Sequence, residues 1–359
     1  MGPIFFFLAV LLVCGTLAWA AAVAVYAARL LSPPRLTDGK ALYRLGRVSP
    51  ADLGLPFVPL QWTSADGLTL RGWAVPAERP DAAGGGRWPA GSPNSSPAGS
   101  PAGQPPVAVL VHGYADAKVG ALAWATLFRQ LGLDVVLPDL RGHGDSDGRW
   151  ITAGVREADD LARLLDRLAA ERSLDRPTRF ILFGASLGGA AAVKCAAGRD
   201  DVAAIVLDSP VPTFRDGALA HAQLLSLAGP AIVRPALRLA EWLLHVRFHD
   251  AAVERRLPDA PAPALVILPA DDPFLDDDRR ARLLAAAVHL KQRQPLSRVV
   301  QPPGGHLTAM HADPAGYAAA VHAFLRQAVP NLCPPPPAVA PAADPVIQTD
   351  EAARRPSPS

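Results

Sequence analysis

RFILFGASLGGAAAVKCAA, residues 179–197, decides the fold. The apolar run ending at Phe183 leads directly into Gly184-Ala185-Ser186-Leu187-Gly188, a G-x-S-x-G pattern, and a helix-like stretch of small residues follows from Gly189 to Ala197. A serine in a sharp strand-to-helix turn is pushed out above the sheet. Its flanking positions must be glycine, because a Cβ there collides with neighbouring backbone. The helix that starts after Ser186 offers free backbone N–H groups and a partial positive charge to a developing oxyanion. The motif alone is weak; its place between a strand and a helix makes it specific and makes Ser186 the candidate nucleophile.

Outward from this stretch the same alternation continues. VAVLVHG (107–113) precedes a helix over Leu122–Leu131, and DVVLPDL (134–140) precedes one over Val155–Ala170. Beyond the motif come VAAIVLDSP (202–210), ALVILPADD (264–272), SRVVQPP (297–303) and a last helix over Pro314–Gln327. Short β-branched runs alternating with amphipathic segments predict right-handed βαβ units and a mostly parallel sheet covered by helices on both faces. Ahead of them, PFVPLQWTSADGLTLRGWAVPA (56–77) holds two strand-like runs around Asp66-Gly67, an antiparallel edge. The folded domain is therefore expected over 56–329. Within it, Glu78–Pro106 is rich in Gly, Pro and Ser and too poor in aliphatics to pack, so it reads as a disordered insertion. A helical excursion over Val211–Leu257 is too long for a connection and reads as a cap over the site. The Pro-rich residues 330–359 read as a disordered tail.

A serine hydroxyl is a poor nucleophile at neutral pH and needs a base, itself held in the right tautomer by a carboxylate. Both are expected downstream, in the order Ser, Asp or Glu, His. Of the nine histidines, His306 in the Gly-rich turn PPGGHL after the final strand is best placed, with His311 in reserve; His221, His245, His249 and His289 fall in helical surroundings and read as surface or packing residues. For the acid, Asp272 is favoured over its neighbour Asp271, because Phe274 and Leu275 behind it anchor the loop. Asp208, at the end of the preceding strand, is the rival. The oxyanion donors expected are the backbone N–H groups of Leu187 and Tyr114. His112, before the Gly113-Tyr114 turn, reads as structural.

These motifs together resemble the α/β-hydrolase superfamily, in its bacterial esterase and serine-aminopeptidase-like branch. The resemblance rests on HGY (112–114), DLRGHGDSDG (139–148), GASLGG (184–189), DDPFL (271–275) and GGHL (304–307), and runs from about Val58 to Gln327. It implies an α/β-hydrolase fold, a Ser186, Asp272 and His306 triad, an acyl-enzyme intermediate, and no cofactor or metal. It also implies that Arg141, His143 and Ser146 shape their loop without reacting.

Composition sets the remaining bounds. The chain has 359 residues, half of them apolar, and a formal net charge of +2, which gives no footprint for nucleic-acid binding. Cys14, Cys195 and Cys333 are too dispersed for a disulfide framework or a metal motif. From Met1 through Ala28 there is no Lys, Arg, Asp, Glu or His, and the run is long enough as a helix to cross the roughly 30 Å of a bilayer core. Residues 1–31 are expected as a transmembrane anchor and 32–55 as a juxtamembrane connector. A cleavable signal peptide ending near Ala18-Trp19-Ala20 is the alternative. Arg29, Arg35, Lys40, Arg44 and Arg47 follow the segment, which favours a cytoplasmic domain by the positive-inside rule. The function expected is hydrolysis of a carboxylic ester, the substrate a small or lipid-like acyl compound. A peptidase with the same machinery, or a silent membrane-tethered scaffold, are the rivals.

Overall fold

The computed structural model describes residues 2–77, 106–172, 178–224, 229–329 and 332. Its strands are β1 (Val58–Thr63), β2 (Thr69–Val75), β3 (Val107–Val111), β4 (Asp134–Pro138), β5 (Phe180–Ala185), β6 (Val202–Asp208), β7 (Ala264–Ile267) and β8 (Arg298–Val300). They form one sheet in the order β1-β2-β4-β3-β5-β6-β7-β8. β1 and β2 pair antiparallel, as do β2 and β4; every pair from β4 to β8 is parallel. The chain thus adopts the α/β-hydrolase fold, with the antiparallel edge where Asp66-Gly67 places it.

The helices are α1 (Gly2–Leu31), α2 (Asp38–Leu45), α3 (Lys118–Arg129), α4 (Val155–Arg172), α5 (Leu187–Ala196), α6 (Phe214–Leu224), α7 (Pro230–Leu244), α8 (Val253–Arg256), α9 (Asp277–Arg293), α10 (Ala309–Ala312) and α11 (Pro314–Ala328). The central strands β3 to β6 are buried along their whole length. Their side chains still alternate between two cores, as a pleated strand requires. Val107, Val109 and Val111 face Leu161, Leu165 and Ala191 of α4 and α5, with Leu283 of α9. Ala108 and Leu110 face Leu122 and Phe128 of α3 and Val321 and Phe324 of α11. Helix α3 starts earlier than its apolar pattern suggests, because the Lys118 ammonium is buried and held by the carboxylates of Asp139 and Asp145, at 2.5 Å each.

Helix α1 is long and apolar enough to cross a membrane. Only its first part stands free of the domain. Val23 and Ala27 pack on Ala236 of α7, and Leu30 and Leu31 join a cluster with Val233, Leu237, Ala240 and Leu244. The Trp19 indole donates to the Ala231 carbonyl at 3.1 Å. The residues expected as a connector, 32–55, are folded too: Ala41 of α2 is buried, and Leu36, Leu45, Val48 and Leu55 pack against the α3 side of the core. Their spacing hides this, since each needs a surface that only the tertiary fold supplies. The expected insertion lies outside the described residues apart from Pro106, and so does the expected tail apart from Leu332.

The turn from β5 to α5 is as tight as its glycines imply. A Cβ on Gly184 would meet the Gly189 Cα at 2.5 Å, and one on Gly188 would run into the Val111 and His112 carbonyl oxygens. Ser186 itself sits at φ 49°, ψ −114°, a region that residues other than glycine rarely occupy. Gly188→Ala should therefore cost about 2 kcal/mol or more of stability, because backbone cannot yield as a flexible side chain can. A urea unfolding midpoint equal to that of the parent chain would contradict this close approach.

Candidate active site

Three loops at the carboxyl ends of the strands bring the site together. Ser186 comes from the β5–α5 turn, Asp272 from the segment after β7, and His306 from the segment after β8. The two later segments are cross-tied: Ala270 N–H donates to the Pro302 carbonyl at 2.9 Å and Asp271 N–H to the Gly304 carbonyl at 3.0 Å.

The side chains then form one continuous relay. His306 Nδ1 lies 2.8 Å from Asp272 Oδ2, and His306 Nε2 lies 2.9 Å from Ser186 Oγ. A carboxylate has no proton to give, so Nδ1–H donates to Asp272 and leaves Nε2 to accept from the serine hydroxyl. The Asp272 side chain is fully buried, with its second oxygen receiving the Phe274 N–H at 2.9 Å. The Phe274 ring stacks on the imidazole with centroids 4.3 Å apart, which limits its rotation.

The other candidates fall elsewhere. Asp271 is exposed and contributes only its backbone; His311 is exposed on α10. Asp208 is fully buried, yet it does not meet the imidazole. Its carboxylate accepts from Tyr317 Oη at 2.7 Å and from Ser209 Oγ at 2.9 Å. Burial pushes its pKa up. Trp124 Nε1 donates to Tyr317 Oη at 3.0 Å, and Ser209 Oγ accepts from Leu307 N–H at 3.0 Å. Asp208 thus anchors a buried chain of hydrogen bonds that ends one residue from His306.

The loop after β3 lies against Ser186: a Cβ on Gly113 would sit 3.4 Å from Ser186 Cβ. The next residue is Tyr114. Leu187, as the first residue of α5, has an N–H with no carbonyl in its own helix to receive it. Two imidazoles fix this loop. His112 Nδ1 is 2.8 Å from the Gly113 carbonyl oxygen, and its Nε2 accepts from Leu140 N–H at 3.1 Å. His143 Nε2 accepts from Ala115 N–H at 3.3 Å. Burial holds both rings neutral, pulling His112 down to about 4 and His143 to about 3. Around His143, Arg141 pairs with Asp160 at 2.7 Å and Asp66 at 2.8 Å, and Ser146 Oγ donates to the Asp139 carbonyl at 2.8 Å.

One rim residue was not legible as such in the sequence. His221, read as surface or packing, sits on α6 with its ring 6.1 Å from Tyr114 and 6.4 Å from Phe274. No local signal separates it from the other helical histidines; only the placement of α6 does. Among the described residues no cluster of His, Cys, Asp and Glu is arranged to hold a metal ion.

Comparison with known proteins agrees with this architecture. Residues 104–293 match the family model described as serine aminopeptidase, S33, a span that includes Ser186 and Asp272 and stops short of His306. An uncharacterized protein of Mycobacterium tuberculosis, Rv2307c, is 30% identical over 241 residues, covering 67% of this chain and 69% of that protein. Among solved structures, the Pyrococcus furiosus esterase Pf2001 is similar in fold with a TM-score of 0.62 at 18% identity, over 83% of this chain and 97% of that one. An alpha-beta hydrolase from Vibrio vulnificus gives a TM-score of 0.54 at 18% identity, over 82% and 97% of the two chains. The chain belongs to the serine aminopeptidase S33 family of α/β hydrolases.

Proposed function

We propose that this hydrolase is a membrane-anchored serine carboxylesterase that works through an acyl-enzyme on Ser186. The observation that carries the reading is the unbroken path from Asp272 through His306 to the Ser186 hydroxyl, at 2.8 and 2.9 Å. In the first half-reaction Ser186 Oγ attacks the ester carbonyl while His306 Nε2 takes its proton. The imidazolium is stabilised by Asp272, and the tetrahedral oxyanion by the N–H groups of Leu187 and Tyr114. Each such donor contributes on the order of 3 kcal/mol in the transition state. Collapse breaks the ester C–O bond, and His306 returns its proton to the leaving alcohol. Water then attacks the acyl-serine with His306 again as base, releasing the acid and restoring the hydroxyl.

An ester is favoured by the aromatic rim that Phe274, His221 and Tyr114 form beside the Ser186–His306 pair. A lipid-like acyl group suits that rim and suits a domain packed on the foot of an apolar helix. The anchor reading is supported by the apolar span of α1, and the cytoplasmic side by Arg29 in its last turn and Lys40 and Arg44 beyond it, all exposed.

A fluorophosphonate probe is expected to label Ser186 in the folded chain, and Ser186→Ala to abolish both labelling and ester hydrolysis while leaving the unfolding midpoint in place. Asp272→Asn should lower kcat by about 10⁴-fold by releasing the imidazole into the wrong tautomer. Asp208→Asn should act mainly on stability, and a larger kcat loss there than at Asp272 would reassign the acid. In sealed inside-out membrane vesicles, added protease should digest the catalytic domain; full protection would place it on the opposite side.

A further inference from the structure

The end of α1 is built into the catalytic centre. Its last four carbonyls lack partners within the helix, and the residue that follows it and two distant loops supply them. Ser32 N–H donates to Ala28 O at 3.0 Å and Ile151 N–H to Leu31 O at 2.9 Å. The carbonyls between them share the Tyr114 hydroxyl, which lies 3.2 Å from Leu30 O and 3.3 Å from Arg29 O. Tyr114 is the residue whose backbone N–H is assigned above to the oxyanion. Its hydroxyl is largely desolvated, which pushes its pKa up to about 12 and keeps it a donor.

A second grip reaches the same loop from the other side. Arg35, four residues beyond α1, donates through Nη1 to the carbonyls of Gly144 and Ser146 and through Nη2 to that of Gly148, each at 2.7 Å. That clamp closes the segment headed by His143, and His143 receives the Ala115 N–H. Ala115 sits at φ 59°, a strained conformation that persists only where its surroundings impose it. The Gly113–Ala115 turn is thus held by Tyr114 on one flank and by Ala115 on the other, and both holds trace back to residues 29–35.

We infer that the foot of α1 and the Arg35 clamp are positioning elements for the oxyanion loop, so that the rate of acyl transfer depends on the membrane helix being seated on the domain. The inference rests on Ser186 as nucleophile and Tyr114 N–H as oxyanion donor. Its physical basis is steep: displacing a catalytic group by about 1 Å can cost on the order of 100-fold in rate. α1 is therefore more than a tether.

The test uses the full chain in detergent micelles, with active sites counted by fluorophosphonate labelling of Ser186 in a separate aliquot of each protein. Tyr114→Phe removes one oxygen without changing shape, and Arg35→Gln removes the clamp. Each should lower kcat for a soluble ester by about tenfold with KM within twofold, and should weaken a trifluoromethyl ketone inhibitor, which forms an oxyanion on the serine, by the same factor. A merely structural role would leave kcat per labelled active site unchanged. If Arg35→Gln fails to fold, Tyr114→Phe decides alone. Parent values of kcat and inhibitor affinity in Tyr114→Phe, or a loss confined to KM, would overturn the inference while the hydrolase reading stands. A parent chain that is folded but neither labelled nor active would remove both.

Discussion

One close approach governs the site: α5 begins with its backbone pressed against the end of β3, and Gly188 is the residue that permits it. A side chain there would strike the carbonyls of Val111 and His112. The same contact fixes two things. It turns the chain sharply enough to raise Ser186 above the sheet at φ 49°, and it brings the Gly113–Tyr114 turn against that serine. Ser186 and the Gly113–Tyr114 turn are neighbours for a single steric reason. The backbone strain costs on the order of 1–3 kcal/mol, and it is tolerated because the flanking strands β3, β5 and β6 are buried throughout.

His306 arrives from the opposite direction and is held as firmly. His306 stands on a segment tied to the Asp272 segment by backbone hydrogen bonds and to β6 through Ser209 and Leu307. Buried Asp208 secures that second tie, together with Tyr317 and Trp124. Two aspartates therefore serve one imidazole by different means. Asp272 touches the ring and orients it, whereas Asp208 fixes the backbone that carries it. Both lie in the apolar interior, where a hydrogen bond lost without replacement costs about 1–3 kcal/mol.

Much of this was legible in the sequence because the decisive signals are local. G-x-S-x-G between an apolar run and small helical residues places the turn, and Gly-Gly-His-Leu after the last strand marks the flexible approach of His306. Phe274 and Leu275 behind Asp272 separate it from Asp271. What escaped depends on residues far apart in the chain. His221 meets Tyr114 and Phe274 only because α6 lies beside both of their loops. Asp208 and Tyr317 lie 109 positions apart, and Arg35 lies 109 to 113 positions from the carbonyls it clamps. The apolar run of α1 gave length and hydropathy but no sign that its last turns pack on α7, because a membrane-crossing face and a protein-packing face draw on the same residues.

The central claim is that Ser186 carries the acyl group during turnover, with the relay through His306 to Asp272 moving the proton. Rapid acid quench of the full-length chain during hydrolysis of an activated acyl ester, followed by peptide mass spectrometry, tests it most directly. The account predicts the acyl mass on the peptide containing Ser186 and its disappearance after deacylation. Sustained ester turnover with that peptide unmodified, or with the acyl group on a different residue, would contradict it.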